Sequence, residues 1–258
     1  MADSNRMKSN PVKAEIKIGS LQLDYSTFSI YLAIFIVLLT ILIYFIAQRR
    51  KNLRKSVLLI GLCESGKTLL FSQLVHNRFV LTHTSIKENI GTYYPQNKNS
   101  LKIVDIPGHE RLRMRFFDNV KSTARGIIFV IDSLTFQKEL KDIAQFLYYI
   151  LADTIVVKNN PRFLILCNKQ DQTLAKSWSV IKAQLEKEIN LLRVTESATL
   201  DTTSTTASNA FLGKRGKNFE FSHLLPLQVD FLDCSAKGNE ETKKTDLIEV
   251  EKWIQKIA

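Results

Sequence analysis

The sequence predicts an α/β domain, with a mostly parallel sheet covered by helices on both faces, preceded by one transmembrane helix. One observation behind this prediction is a run of twenty uncharged residues near the start of the chain. The other is that, beyond this run, five short apolar strands alternate with helical stretches, an order typical of parallel sheets. The chain has 258 residues, of which 45% are hydrophobic, so it is neither a disordered tail nor a polytopic membrane protein.

The uncharged run covers residues 28–47 and reads FSIYLAIFIVLLTILIYFIA. As a helix rising about 1.5 Å per residue it would be roughly 30 Å long, which matches a bilayer core. Five cationic side chains follow within Arg49–Lys55, whereas the nearest cation before the run is Lys17. The positive-inside rule therefore places the C-terminal side in the cytosol. The predicted organisation is a short tail on the far side (1–27), a transmembrane helix (28–47), a basic juxtamembrane linker (48–55) and a cytosolic domain (56–258).

The charge is concentrated beside the apolar run. The net charge is +11, of which residues 1–55 hold +6 and the remaining 203 residues hold +5. This mild excess does not indicate a nucleic-acid surface, and we assign the basic cluster to topology and lipid headgroups. The three cysteines, Cys63, Cys167 and Cys234, match neither a disulfide framework nor a zinc pattern. Cys167 and Cys234 end apolar runs, so we interpret them as small buried residues.

The first element of the cytosolic part is a strand, Ser56–Ile60, followed by GLCESGKT and then by apolar residues at helical spacing. This is the G-x-x-x-x-G-K-[ST] phosphate-loop pattern in its strand-loop-helix context. Backbone N–H groups of such a loop wrap phosphates, the lysine reaches the outer phosphates, and the threonine hydroxyl binds Mg²⁺. The candidate nucleotide-binding residues here are Gly61, Glu64, Ser65, Gly66, Lys67 and Thr68.

The second element is the strand Leu101–Asp105, which is followed by Ile-Pro-Gly108-His109. An aspartate at this position can hold Mg²⁺ through its water shell, and Gly108 lets a backbone N–H meet the terminal phosphate. A polar loop lies between the phosphate loop and this strand. We take Thr84 of that loop as the hydroxyl that closes over Mg²⁺, with Thr82 as the alternative.

The remaining elements predict guanine recognition. Strand Phe163–Cys167 ends in Asn168-Lys169-Gln170-Asp171, and strand Val229–Cys234 is followed by Ser235-Ala236-Lys237. A carboxylate at Asp171 can accept hydrogen bonds from N1–H and the 2-amino group of guanine, while the lysine stem lies along the ring. The Ser-Ala-Lys turn can present a backbone N–H to guanine O6. The four elements lie at the carboxyl ends of strands, where open α/β sheets bind ligands.

These residues resemble the GTPase superfamily, and more closely the beta-subunit family of the signal recognition particle receptor. The resemblance rests on GLCESGKTLLF, DIPGHERLR, CNKQD and CSAKG, on the single N-terminal membrane helix and on the C-terminal EKWIQKIA. It implies a Ras- and Arf-like domain on the endoplasmic reticulum that binds GTP or GDP with Mg²⁺, with the tail 1–27 lumenal. The implied partner is the receptor's alpha subunit, held in the GTP form, which in turn receives ribosome-bearing signal recognition particle.

Other features leave alternatives open. A further strand (Ile127–Asp132) and a short edge strand near Thr92–Pro95 complete the predicted sheet. Nine of the fifteen residues from Thr195 to Asn209 are Ser or Thr, so we predict a disordered insertion at about 195–217. The alternative functions are a constitutive GTP-bound scaffold that never cycles and an Arf-like trafficking GTPase, which would normally use an amphipathic or lipidated N-terminus.

The predicted catalytic residue is His109. Many GTPases place a glutamine after the glycine of this motif to orient the attacking water. A neutral imidazole can orient water too, but an exposed loop residue without a catalytic part would show the same sequence. No arginine finger within the chain is identifiable from the sequence, so we expect at most slow intrinsic hydrolysis.

Overall fold

The computed structural model describes residues 15–18, 21–95, 99–200, 212–214, 216–238 and 246–258. The chain forms two compact units, Met1–Leu53 and Arg54–Ala258. The division between them falls inside the predicted linker 48–55. The predicted tail 1–27 lies partly outside the described residues, since 1–14, 19 and 20 are among those not described.

The first unit contains a hairpin and a helix. Strands β1 (Glu15–Ile18) and β2 (Leu21–Asp24) pair antiparallel, and α1 follows over Tyr25–Leu53. The helix therefore continues beyond the predicted span 28–47, because no glycine or proline interrupts it. Side chains of α1 are described from Phe28 to Tyr44, and all of them are exposed. Over the residues so described, no helix is both long enough and apolar enough to cross a membrane.

The second unit is built on a six-stranded sheet with the order β4-β5-β3-β6-β7-β8. The strands are β3 Ser56–Ile60, β4 Asn89–Tyr93, β5 Leu101–Asp105, β6 Ala124–Asp132, β7 Arg162–Asn168 and β8 Val229–Asp233. Strand β4 pairs antiparallel with β5, and all other pairs are parallel. The predicted mostly parallel sheet is thus confirmed. The edge strand predicted near Thr92–Pro95 extends instead from Asn89 to Tyr93, over its pairing with β5, and it ends before Pro95, which has no N–H to donate to the ladder.

Among the described residues, six α-helices accompany the sheet: α2 Lys67–His76, α3 Glu110–Val120, α4 Phe136–Ala152, α5 Thr154–Asn159, α6 Trp178–Leu200 and α7 Ile248–Ile257. Successive side chains of a strand face opposite sides, and β3 shows this clearly. Its Leu58 and Ile60 join the core cluster that contains residues of α3, α4, α5 and α6, whereas Val57 and Leu59 join the cluster that contains residues of α2 and α7. Helices therefore cover both faces of the sheet, as predicted.

The predicted disordered insertion 195–217 differs from the structure at its two described ends. Helix α6 continues to Leu200, and the Thr195 hydroxyl donates to the Leu191 carbonyl at 3.0 Å. Beyond residues 201–211, which lie outside the described residues, the buried Arg193 guanidinium donates to three carbonyls, those of Leu212, Lys214 and Lys217. The contacts that hold this segment come from a distant arginine, so its Ser- and Thr-rich composition could not predict them.

Candidate nucleotide-binding site

The phosphate loop connects β3 to α2, and its geometry requires glycine at its end. Gly66 has φ +89°, and a Cβ there would lie 2.3 Å from the side-chain nitrogen of Asn168. Glu64, with φ +58°, also lies in the left-handed region, and its side chain is exposed at the mouth of the loop. The loop that begins at Gly61 therefore folds back on itself and leads directly into α2. The N-terminal N–H groups of α2 have no partners within the helix, and such groups bind anions.

Lys67 lies across the loop. Its Nζ donates to the Leu62 carbonyl at 2.5 Å and to Ser65 Oγ at 3.3 Å, and only 5% of the residue is exposed. Burial lowers the pKa of Lys67 to about 8, while the nearby Asp105 charge acts in the opposite direction. Ser65 donates its own hydroxyl to the Leu62 carbonyl at 3.0 Å, so its side chain is part of the loop and only its backbone remains for a ligand. A phosphate would give the buried ammonium a stronger partner than a neutral carbonyl does.

Thr68 and Asp105 form the corner that fits a metal ion. Thr68 Oγ1 donates to Asp105 Oδ2 at 2.8 Å, and Asn89 Nδ2 donates to the same oxygen at 2.9 Å. Asp105 is fully buried, and its Oδ1 has no hydrogen-bond partner among the described residues. Burial raises the pKa of Asp105, and the hydrogen bonds from Asn89 and Thr68 partly oppose the increase. A hydroxyl and an unpaired carboxylate oxygen are the hard ligands that Mg²⁺ prefers, so these residues fit the ion.

The loop before β4 supplies more hydroxyls than the sequence reasoning assigned. Thr82, Thr84 and Ser85 all line the cavity at the phosphate loop. The hydroxyl that contacts Thr68, however, belongs to Ser85, with 3.1 Å between the two oxygens. Ser85 has no role in the sequence prediction, which assigns Thr84 or Thr82, because nothing in the local pattern separates the three hydroxyls. The choice between Thr84 and Thr82 stays a prediction.

Gly108 and His109 occupy different surroundings although they are neighbours. A Cβ on Gly108 would lie 2.6 Å from the Cys63 backbone nitrogen, so the chain leaving β5 lies directly against the phosphate loop. Gly108 lines the cavity. His109 is the N-cap of α3, where its Nδ1 accepts from the Arg111 N–H at 3.4 Å, and it is exposed. His109 is not among the residues that line the cavity, so this structure does not bring the predicted catalytic imidazole to the site.

Asn168 connects three loops on the side predicted to bind the base. Its Nδ2 donates to the Ser65 carbonyl at 2.8 Å, and its Oδ1 accepts from the Ala236 N–H at 3.0 Å. The Ala236 N–H is thus used within the protein, whereas Lys237 also lines the adjoining cavity. Lys169, with φ +67°, forms an ion pair with Asp132 at 2.6 Å, which holds its stem over the cavity. No sequence motif indicated this ion pair between Lys169 and Asp132.

Asp171 is prepared as a hydrogen-bond acceptor. The Ser235 hydroxyl donates to its Oδ1 at 2.7 Å, and Gln172 Nε2 donates to its Oδ2 at 2.7 Å. Burial by itself would raise the pKa of Asp171, but these hydrogen bonds outweigh it and the net pKa is lowered. The carboxylate is therefore ionised at neutral pH, and Ser235 acts by orienting it.

Two cavities adjoin at this end of the sheet. The first, about 380 Å³, is lined by the phosphate loop, by residues 82–85 and by Gly108. The second, about 290 Å³, is lined by Asn168, Asp171, Lys237 and their neighbours. Gly66, Leu69 and Lys169 line both, so the two form one groove from the phosphate side to the base side. Among the described residues, no cluster of three or more His, Cys, Asp or Glu side chains could hold a metal by itself.

The fold and the phosphate loop at its centre define a GTPase-like P-loop protein. The family model described as "Signal recognition particle receptor beta subunit" matches residues 52–229. The Homo sapiens and Rattus norvegicus proteins named signal recognition particle receptor subunit beta are each 49% identical over 243 residues, covering 92% of this chain and 89% of theirs. The chain therefore belongs to the family of signal recognition particle receptor beta subunits, small GTPases related to the ADP-ribosylation-factor-like proteins.

Solved structures agree with this assignment. A chain of the mammalian SRP receptor structure matches with a TM-score of 0.69 and 49% identity, covering 79% of this chain and 100% of that one. The SRb-GTP/SRX complex from Chaetomium thermophilum matches with a TM-score of 0.64, covering 78% of this chain and 99% of that one. Its identity is 21%, so this likeness concerns the fold.

Proposed function

We propose that this chain binds GTP and GDP with Mg²⁺ and, in the GTP form, holds the alpha subunit of the signal recognition particle receptor at the endoplasmic reticulum for co-translational protein targeting. The observation that carries the proposal is the continuous groove, with a phosphate loop at one end and an ionised, oriented Asp171 at the other. Binding of GTP and ATP to the full-length protein in detergent tests it. We expect tight binding of GTP and weak binding of ATP, and equal binding of the two would contradict the base assignment.

Different residues of the groove would contact the phosphates, the metal ion and the base of the nucleotide. The N–H groups of the phosphate loop and of the α2 N-terminus would surround the phosphates, and Lys67 would exchange its loop carbonyl for phosphate oxygens. Thr68 and Asp105 would hold Mg²⁺, directly and through its water shell respectively, and the ion would neutralise charge on the phosphates. Asp171 would select guanine, with the Lys169 stem along the ring. The Ser235-Ala236-Lys237 turn would present a backbone N–H to O6, although the Ala236 N–H already donates to Asn168 in this structure.

Nucleotide-dependent partner binding is the finer part of the proposal. The loop with Thr84 and Ser85 and the segment from Gly108 to Arg115 flank the position of a terminal phosphate, so GTP and GDP would order them differently. The family assignment and the SRX complex of the Chaetomium relative support the alpha subunit as the partner. Capture of the alpha subunit by the full-length protein loaded with GTP or GDP tests this part. Equal capture would favour the constitutive scaffold.

Hydrolysis is expected to be slow. His109 does not line the phosphate cavity in this structure, so its imidazole would have to move toward the phosphate side to orient a water. The His109 role therefore stays a prediction. Single-turnover hydrolysis by the wild type and by His109→Ala tests it, and equal rates would remove His109 from the mechanism.

Membrane anchoring is proposed from the uncharged run 28–47. The large apolar side chains from Phe28 to Tyr44 are 38–64% exposed, and a bilayer would remove that surface from water. The five cations in Arg49–Lys55 favour a cytosolic GTPase domain. Protease added to sealed microsomes should then digest the domain beyond Lys55, and full protection would contradict the topology. A spanning helix also disfavours the Arf-like trafficking alternative.

A further inference from the structure

Asn89 lies at the start of edge strand β4, directly opposite Asp105 in the antiparallel pair of β4 with β5. Its amide donates to Asp105 Oδ2 at 2.9 Å, the same oxygen that receives the Thr68 hydroxyl at 2.8 Å. The other oxygen, Oδ1, is buried and has no partner among the described residues. The donors recorded for this carboxylate thus converge on one oxygen and leave the other for a ligand.

We propose that Asn89 is a positioning residue of the metal site, which fixes the Asp105 carboxylate so that Oδ1 remains directed to the water shell of Mg²⁺; this rests on the proposed binding of Mg²⁺ and nucleotide. The terminal torsion of an aspartate is broad and only weakly restrained by itself. Hydrogen bonds from two different elements, α2 and β4, restrict it. Of the two donors, Thr68 is itself a proposed metal ligand, whereas the Asn89 side chain donates to the carboxylate without being a proposed ligand.

The position of Asn89 also ties the metal site to the loop before it. Residues 77–88 connect α2 to β4 and include Thr84 and Ser85, which line the phosphate cavity. Asn89 ends this loop, and its side chain bonds to the aspartate at the end of β5. The hydrogen bond therefore joins the end of this loop to the aspartate of the proposed metal site.

Metal dependence separates this role from a merely structural one. GDP affinity is measured for the full-length protein in detergent across a Mg²⁺ titration and in EDTA. The variants are Asn89→Ala and Asn89→Leu, the second retaining the side-chain volume without the donor. Thr92→Ala, which changes an exposed polar residue of the same strand, is the matched control. Thermal midpoints without nucleotide monitor the fold.

The Mg²⁺ concentration at which the increase in GDP affinity is half-maximal should rise about ten- to a hundredfold in the Asn89 variants. This is the usual effect of removing a hydrogen-bond partner of a metal ligand. Affinity in EDTA should change by less than about twofold, and Thr92→Ala should behave as the wild type. Unchanged Mg²⁺ dependence, or an equal loss of affinity with Mg²⁺ and in EDTA, would overturn the role of Asn89. A wild type that shows no Mg²⁺-dependent GDP binding would instead overturn the proposed function itself.

Discussion

Asp171→Asn provides the sharpest test of base recognition. In the structure Asp171 accepts hydrogen bonds from Ser235 and Gln172 while it lines the base cavity, and its lowered pKa keeps it ionised. Asparagine has the same shape but replaces one acceptor oxygen with an N–H₂ donor. Ser235 can adapt, because a hydroxyl both donates and accepts. Guanine cannot adapt, since its N1–H and 2-amino group both donate.

The expected magnitude follows from these contacts. Losing one hydrogen bond to a charged acceptor costs about 1.5–3 kcal/mol, and leaving two donors opposed in a desolvated site costs about 1–3 kcal/mol more. The two costs together predict that guanine nucleotides bind about 2.5–6 kcal/mol more weakly, which is roughly 70-fold to 25,000-fold in affinity. Xanthine carries an oxygen in place of the amino group, so it should gain a partner in the variant.

The assay compares GDP with xanthosine diphosphate by direct titration, which avoids hydrolysis. Asp233→Asn is a matched control, because Asp233 accepts from Gln170 and Trp178 at the same end of the sheet but does not line the base cavity. The preference for guanine should reverse in Asp171→Asn and persist in Asp233→Asn. If Asp171→Asn retains wild-type GDP affinity and does not bind the xanthine nucleotide, Asp171 does not read the base.

Three further predictions concern the phosphate loop, the thiols and pH. Lys67→Ala and Thr68→Ala should each weaken GDP binding by about 1.5–3 kcal/mol without unfolding the nucleotide-free domain. Unchanged affinity in titration would remove the phosphate-loop assignment. Of the three thiols, only Cys63 is partly exposed, and burial raises the pKa of the other two, so a thiol reagent at pH 8 should label one site quickly and three only after denaturation. Burial would lower the pKa of Lys121, but its two aspartate partners outweigh burial and raise it. The stability that the Lys121 ion pairs contribute is therefore fully present below the pKa of Lys121 in the unfolded chain, and it is lost as pH rises through the pKa in the folded protein. The difference in thermal midpoint between wild type and Lys121→Met should thus shrink only at strongly alkaline pH. A difference that disappears near pH 7 would contradict this.

The sheet illustrates how far local patterns extend. Strands β3 and β5 have the bounds predicted from their apolar runs, because the sheet buries all five residues of β3 and four of the five residues of β5. Edge strand β4 was displaced by about three residues in the prediction. One of its sides has no neighbouring strand in the described sheet, so pairing with β5 and the position of Pro95 decide its bounds.

The site shows the same division between short- and long-range information. The phosphate-loop glycines, Lys67 and Thr68 are close in sequence, and the chemistry of phosphate binding restricts which residues can occupy those positions. By contrast, the sequence does not distinguish which hydroxyl of the polar loop, that of Thr82, Thr84 or Ser85, lies beside Thr68. In the structure it is the Ser85 hydroxyl. His109 was predicted for catalysis from its place after Gly108, yet its imidazole caps α3. Both observations depend on the path of the loops in space, which sequence order does not encode.

By itself, the sequence determined the class of fold, the phosphate loop and the family, because each depends on residue types at short, fixed spacing along the chain. Only the tertiary structure decided that Asn89 and Thr68 share one oxygen of Asp105, that Asn168 joins the phosphate loop to the Ser-Ala-Lys turn, and that Arg193 holds the far end of the predicted insertion. These contacts join residues 16 to 103 positions apart. Their partners are set by how strands align and helices pack, and a hydrogen bond forms only where that packing brings donor and acceptor within about 3 Å.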